Sequence, residues 1–289
     1  MIDLHVHSTF SDGCLSPGEL VAAASAAGLT ALALTDHDTI AGAGDFLAAC
    51  RAAGLTGIAG VEISAQAEPG TLHILGLGVD PASEVLGDAL ERIRRSRDER
   101  NRRILERLQE LGFALTWEEV ESIAGGDVIG RPHFARAMIA RGWAESVPEV
   151  FERYLEKGAP AYVDRFKLSP HEAVRLIREA GGVAAVAHPL SWTDDFGELE
   201  GRLRELAAAG LNALECHHPM FDASASATLL ALAGRLGFLP TGGSDFHSAD
   251  AEGRAGVPGG LGVPPVPDAL LPPLLARMSP YGFVTGKEA

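Results

Sequence analysis

Histidines and carboxylates collect at the ends of a series of short apolar runs in this 289-residue chain. His5 and His7 close the first run, with Asp12 a few residues on. Asp36 and His37 close the second, and Glu62 lies near the end of the third. His73 lies in the fourth, His188 ends the fifth, and Asp245 and His247 follow the last. Six of the ten histidines fall at these places. Imidazole with carboxylate is a donor set that suits Mn, Fe or Zn. Residues i and i+2 of a strand share a face, so His5 and His7 can grip one ion. A carboxylate such as Glu62 can bridge two. The chemistry this points to is metal-assisted hydrolysis.

The elements that must position these groups are legible in the spacing. Ile2–His7 alternates as a strand, placing Asp3, His5 and His7 on one face and Ile2, Leu4 and Val6 on the other. Leu29–Thr35 and Thr56–Ile63 are near-continuous apolar runs, as expected of parallel strands buried on both faces. Leu72–Val79, Gly182–His188, Ala213–His217 and Leu239–Asp245 complete the strands. Helical patterns fill the intervals at Pro17–Ala27, Thr39–Ala53, Pro170–Ala180, Leu199–Ala209 and Ser224–Leu236. Gly28 and Gly54 stand where helix C-caps are expected. From Pro81 to Lys167 the rhythm breaks into helices alone: Glu84–Leu111, Trp117–Ile123, Pro132–Arg141 and Val147–Glu156. Gly253–Pro267 reads as a long loop before a short helix near Ala269–Arg277. Strands that are mostly followed by helices suggest a β/α barrel, with an open doubly wound sheet as the alternative. The barrel would comprise residues 1–80 and 168–289, and residues 81–167 would be a helical insertion contributing to the substrate site.

Composition narrows the function classes. Hydrophobic residues at 46% supply a core, and charged residues at 22% are ordinary for a soluble protein. The N-terminus lacks a basic and apolar leader pattern, and no run of 18 apolar residues occurs, so a cytoplasmic protein without a membrane partner is expected. Cys14, Cys50 and Cys216 are scattered, indicating buried thiols and neither a disulfide framework nor a zinc-thiolate site. A net charge of -15 argues against a broad nucleic-acid-binding surface. It is compatible with a phosphorylated substrate, because two or three divalent cations would reverse the field inside one cleft.

Five segments carry a family resemblance: His5-Val6-His7-Ser8-Thr9-Phe10-Ser11-Asp12-Gly13, Leu34-Thr35-Asp36-His37-Asp38-Thr39, Gly60-Val61-Glu62-Ile63-Ser64, Ala187-His188-Pro189 and Gly243-Ser244-Asp245-Phe246-His247. In type and order they resemble the motifs of the PHP (polymerase and histidinol phosphatase) family of metal-dependent phosphoesterases. The resemblance implies a distorted seven-stranded β/α barrel and a trinuclear metal site. Carried over by motif, His5, His7, Glu62 and Asp245 would hold the first ion. Glu62, His73 and His188 would hold the second, and Asp12, His37 and His247 the third. Manganese is the first expectation, with iron or zinc as alternatives. Segments around Arg131-Pro132-His133 and Tyr154–Val163 are similar to the subgroup that acts on nucleotides, which includes 3′,5′-nucleotide bisphosphate phosphatases and 5′-3′ exoribonucleases. The expected reaction is hydrolysis of a phosphomonoester of a small nucleotide, foremost the 3′-phosphate of adenosine 3′,5′-bisphosphate, by a metal-bridging hydroxide. Short RNA, histidinol phosphate and a non-phosphate bond are the alternatives.

Beyond the ligands, Asp245 is a candidate proton acceptor and Glu62 a candidate bridging catalytic group. Arg131 and His133, at a predicted helix start, are candidate phosphate contacts. His218 is the member of the His217-His218 pair chosen as a substrate contact or leaving-group proton donor. Asp36 is expected to orient a ligating imidazole, and Asp38 to be a solvated turn residue. His171 is expected to be structural, and Lys157 and Arg165 to be solvated, with contact to a second phosphate as their other use. The eight arginines of Arg92–Arg107, interleaved with glutamates, read as a solvated, ion-paired helix face. Trp117, Trp143 and Trp192 read as packing residues, Trp192 with base stacking as its other use.

Overall fold

A computed structural model describes residues 1–124, 128–248 and 260–286. In chain order the elements begin with β1 (Ile2–Val6), α1 (Pro17–Ala26), β2 (Ala31–Leu34), α2 (Ala43–Ala53), β3 (Thr56–Ala65) and β4 (Leu72–Leu77). Four helices follow: α3 (Glu84–Glu110), α4 (Trp117–Ala124), α5 (Arg131–Ala140) and α6 (Val147–Val150), which runs into a π turn at Phe151–Leu155. Then come α7 (Pro170–Glu179), β5 (Val183–Ala187), α8 (Phe196–Ala207), β6 (Ala213–His217), α9 (Ala223–Leu236), β7 (Leu239–Gly242), α10 (Leu271–Leu275) and β8 (Phe283–Val284). The first part of the loop expected at Gly253–Pro267 lies outside the described residues.

The strands lie side by side in chain order from β1 to β7, with β8 added against β3. The segment after β7 returns to β1: the Asp245 amide donates to the His5 carbonyl at 2.8 Å, and the His7 amide to the Phe246 carbonyl at 3.0 Å. This nearly closes a seven-stranded barrel. Alternate residues of the strands, among them Leu4, Ala33, Ile58, Leu75, Leu77, Ala185 and Ala213, meet in one buried cluster that includes Leu274 and Met278. Their neighbours in sequence face the surrounding helices in two other clusters.

The strands depart from a regular β/α barrel in two ways. β4 runs antiparallel to both β3 and β5, so the sheet is mixed. The reason is local: β3 and β4 are joined by a short loop with no helix, and a direct return reverses strand direction. The even alternation expected of β1 also fails, because its register slips between Asp3 and Val6. Ile2 and Leu4 join the barrel interior while Val6 packs among residues of α1 and α2. The slip puts His5 and His7 into the mouth above Leu4. The helix expected from Thr39 starts at Ala43, which leaves residues 39–42 to the loop after His37.

Closure depends on a close approach at Gly243. A Cβ there would lie 2.5 Å from both the amide nitrogen and the Cβ of His5. Gly243→Ala is therefore expected to lower stability by about 1–3 kcal/mol through overpacking, read as a reduced denaturation midpoint. The helices α3 to α6 bury a core of their own, with Ile104, Leu108, Phe134, Met138, Val150 and Leu155 in it.

Candidate active site

Every expected ligand arrives at one mouth of the barrel. Glu62, near the end of β3, is the hub. Its Oε2 lies 2.8 Å from His37 Nδ1, 3.4 Å from His7 Nε2 and 3.5 Å from His5 Nε2. Its Oε1 lies 2.7 Å from His73 Nδ1 and 3.0 Å from His188 Nε2. Asp245 Oδ1 is 3.1 Å from His7 Nε2 and 3.4 Å from His5 Nε2. Asp12 approaches His247 Nε2 at 3.2 Å and His37 Nε2 at 3.6 Å.

The donor atoms fall into groups able to hold an ion. His5, His7, Glu62 and Asp245 form one, matching the first expected set. His7, Asp12, His37 and His247 form another, in which His7 joins the third expected set. Glu62 and His73 group with His37, while His188, expected in that second set, falls outside the group but meets the same Glu62 Oε1 as His73. His5 Nε2, His7 Nε2, His37 Nδ1, Glu62 Oε2 and Asp245 Oδ1 are all buried without a hydrogen-bond partner. Several are close to one another yet out of line for hydrogen bonding. Buried polar atoms left in that condition are costly unless a cation completes them. Many of the rings are also oriented for it from behind: His5 Nδ1 meets Glu215, His188 Nδ1 meets Ser191 Oγ at 2.7 Å, and His247 Nδ1 meets the Asp245 carbonyl at 2.8 Å. The residues fit divalent ions of the N/O-preferring kind.

Backbone strain marks the same place. Asp38, His188 and Asp245 are the non-glycine residues of positive φ among those described, at 52°, 28° and 52°. Such conformations persist where the surroundings over-determine them.

Electrostatics give the site a pH signature. Burial disfavours a charged His37 ring, but Glu62 and Asp12 outweigh it and raise the ring to about 9. Burial and the neighbouring His247 and His37 depress His7 to about 3. A ligand must be neutral, so ion binding to metal-free protein displaces the His37 proton. Apparent metal affinity is expected to rise with pH until about 9, roughly tenfold per unit for each proton released. Calorimetry in buffers of different ionisation enthalpy counts those protons; an affinity flat between pH 7 and 9 would contradict it. In the metal-free fold the raised His37 has the opposite slope. Its stabilisation is whole below about pH 6.5 and is lost as pH rises through about 9.

A cleft of about 1320 Å³ opens beside the cluster, and Arg97, Arg100, Arg131, Arg136, Arg165 and Lys167 are among its lining residues. Three expectations are corrected here. Asp38 is buried, accepting from the Ser64 amide at 2.8 Å and pairing with Arg97. Arg165 is buried too, 3.8 Å from the same carboxylate. The arginine helix is split: Arg95 pairs with Glu91 in solvent, but Arg97 and Arg100 turn inward. An amphipathic helix 27 residues long covers the cleft, so one stripe of its cations must face inside. The arc is crowded with like charge. Burial, then Arg165 and Arg131, lower Lys167 to about 8; burial and Arg97 lower Arg165 to about 10.

The remaining candidates sort by geometry. Arg131 and His133 line the cleft at the start of α5. Arg131 donates to the Leu155 carbonyl at 3.1 Å and lies against Phe151 and Tyr162, while His133 Nδ1 accepts the Gly130 amide at 3.0 Å. His218 is buried with Nε2 3.5 Å from Asp245 Oδ2; His217 is half-buried on the other side. Asp36 does not reach His37: it accepts from the Ser8 amide, Ser8 Oγ and Ser11 Oγ, and Ser11 stands 3.5 Å from His7 Nδ1. Lys157 lines the cleft, exposed and paired with Glu68 at 2.6 Å. His171 is exposed, 3.8 Å from Glu205. Trp192 is buried outside the cleft under Arg202, and Trp117 and Trp143 pack in the helical core. Cys14, expected to be buried, is exposed; Cys50 and Cys216 are buried.

The residues that spacing missed are Glu215, Arg97, Arg100 and Lys167. Glu215 had a visible signal: a carboxylate inside the apolar run Ala213–His217 must find a buried partner.

A barrel mouth of converging imidazoles and carboxylates, faced by an arc of cations, defines a metal-dependent hydrolase of an anionic substrate. Residues 3–163 match the PHP domain, and the chain belongs to that family as a metal-dependent phosphoesterase. It is 35% identical over 254 residues to a 3′,5′-nucleoside bisphosphate phosphatase of Chromobacterium violaceum, covering 88% of this chain and 89% of the relative. It is 33% identical over 247 residues to a 5′-3′ exoribonuclease of Escherichia coli, covering 85% and 84%. Among solved structures it is similar to an amidohydrolase from Chromobacterium violaceum holding sulfate and no metal, with a TM-score of 0.82, 33% identity and coverage of 99% and 98%.

Proposed function

We propose that the chain removes the 3′-phosphate of a nucleoside 3′,5′-bisphosphate, adenosine 3′,5′-bisphosphate foremost. The observation that carries this reading is the group of buried arginines that line the cleft beside the ligand cluster, each with a guanidinium nitrogen left without a hydrogen-bond partner. Arg97 Nε, Arg100 Nε and Arg165 Nη1 are buried without a hydrogen-bond partner. Guanidinium groups held dry in this way suit a second phosphate, because charge-assisted bonds to phosphate are strong. A substrate with an anion at each end satisfies both sides of the cleft. The relative from Chromobacterium violaceum named as a bisphosphate phosphatase supports the same substrate class.

His5, His7, Asp12, His37, Glu62, His73, His188, Asp245 and His247 would hold two or three ions, manganese first among them. Bound divalent ions supply an acidified water and neutralise phosphoryl charge. Glu62 ties the ligand sets together, and Asp245, a ligand through Oδ1, is also the candidate proton acceptor. Arg131 and His133 contact phosphate from the start of α5. His218 accepts the Met220 amide at Nδ1, so its proton sits on Nε2, 3.5 Å from Asp245 Oδ2, and its part as substrate contact or proton donor would run beside that carboxylate. Residues 81–167 act as the insertion that closes the substrate side of the barrel formed by 1–80 and 168–289. Among the described residues no helix is long and apolar enough to cross a membrane.

A second reading, 5′-3′ cleavage of short RNA, is favoured by one feature. The cleft adjoins a hollow of about 270 Å³ along α3 that shares Arg100, Asp164, Arg165 and Phe166 with it and adds Ser96, Glu99 and Arg103. One further nucleotide has room there. The test is product analysis of Mn-loaded protein on adenosine 3′,5′-bisphosphate, AMP, histidinol phosphate and a 5′-phosphorylated RNA trinucleotide. Adenosine 5′-phosphate with one phosphate from the bisphosphate supports the main reading. Mononucleotides from the trinucleotide alone would replace it with the second. Hydrolysis of histidinol phosphate alone, or of none, would overturn both.

A further inference from the structure

We propose that Glu215 is a positioning residue that fixes two metal ligands at once, the tautomer of His5 and the backbone of His188. This rests on reading the cluster as a metal site. Glu215 lies on β6, fully buried. Its Oε1 is 3.0 Å from His5 Nδ1, and its Oε2 accepts the His188 amide at 2.5 Å. The two donors come from β1 and from the end of β5, so one side chain ties three strands together at the mouth.

Each contact bears on ligation. A ring that donates from Nδ1 keeps its lone pair on Nε2. His5 Nε2 is the atom directed at Glu62 and Asp245, and it is buried without a hydrogen-bond partner. His188 adopts a φ of 28°, which L residues other than glycine rarely hold. Its amide is gripped by Glu215, its carbonyl accepts the Ser191 amide at 2.9 Å, and its Nδ1 meets Ser191 Oγ. Its Nε2 is thereby set at Glu62.

The chemistry demands a carboxylate. Two donors converge on Glu215, and an amide offers one acceptor and one donor group. If Gln turned its NH₂ to His5, the ring would have to accept at Nδ1 and carry its proton on Nε2, where the lone pair is needed. If it turned the NH₂ to His188, two N–H groups would meet head to head. His218 belongs to the same geometric group as His5 and Glu215, but its Nδ1 already accepts a backbone amide. Its Nε2 carries the proton, so this group is not a further ion site.

The experiment is equilibrium dialysis of chelated full-length protein against graded free Mn²⁺, with bound ions counted by mass spectrometry. Wild type and Glu215→Gln are compared after their folds are checked by circular dichroism. The expected result is a roughly 10- to 100-fold loss of affinity for at least one ion in the variant, as for other residues behind metal ligands. Affinity within threefold of wild type at every site would overturn the proposal. A second measurement needs no variant: ¹⁵N imidazole NMR of Zn-loaded wild type should show His5 protonated at Nδ1 and metal-bound through Nε2. Any other state of that ring would also overturn it. Wild type that binds no divalent ion would remove the premise, a failure distinct from a variant that binds normally.

Discussion

Glu62→Gln is expected to reduce phosphoesterase turnover by on the order of 10³-fold, with loss of more than one bound ion per chain. Glu62 contacts five histidines through its two oxygens, so among the described residues none serves as many of the donor groups. Burial opposes its charge, yet His37, His73 and His5 hold it well below the usual carboxylate range. The amide is nearly isosteric but neutral and has one acceptor, so it cannot bridge. Turnover and metal content measured on the same preparation check this. A variant with full metal content and unchanged turnover would show that Glu62 is only a packing residue.

Arg100→Met should separate stability from function. Arg100 is buried beside Arg97, Arg165 and Arg131, and burial followed by those charges lowers its guanidinium well below its ordinary value. Methionine keeps most of the volume and removes the repulsion. The free protein should therefore unfold at the same or higher denaturant concentration. Meanwhile a charge-assisted contact of about 1.5–3 kcal/mol disappears, raising KM for the bisphosphate roughly 10- to 100-fold. Phenyl phosphate, with one anion, should be affected much less. An equal loss on both substrates would place Arg100 at the reacting phosphate instead of at the second one.

The candidate ligands were legible because most of them sit at or just past a strand end, and strand ends are set by short-range alternation and caps. His5, His7, His37, Glu62, His188 and Asp245 needed only the positions of their own strands. What spacing missed depends on which way a long element turns. Arg97 and Arg100 lie on α3 among other arginines, and only packing of Ile93, Ile104 and Leu108 decides which cations face the cleft. Asp38 read as a turn residue because Asp-rich turns are commonly solvated. Its burial follows from two arginines that lie 59 and 127 positions away. The antiparallel β4 escaped for a similar reason: an apolar run carries no sign of strand direction. Glu215, by contrast, stood in plain view as a charge inside an apolar strand.

The most direct test of the account is a Mn²⁺ titration of chelated protein in which phosphate release from adenosine 3′,5′-bisphosphate is plotted against ions bound per chain. The account predicts negligible release from the metal-free protein, with activity rising as the Glu62-linked sites fill and adenosine 5′-phosphate as the product. Full activity in protein freed of divalent ions, or no phosphate release after the ions are bound, would contradict it.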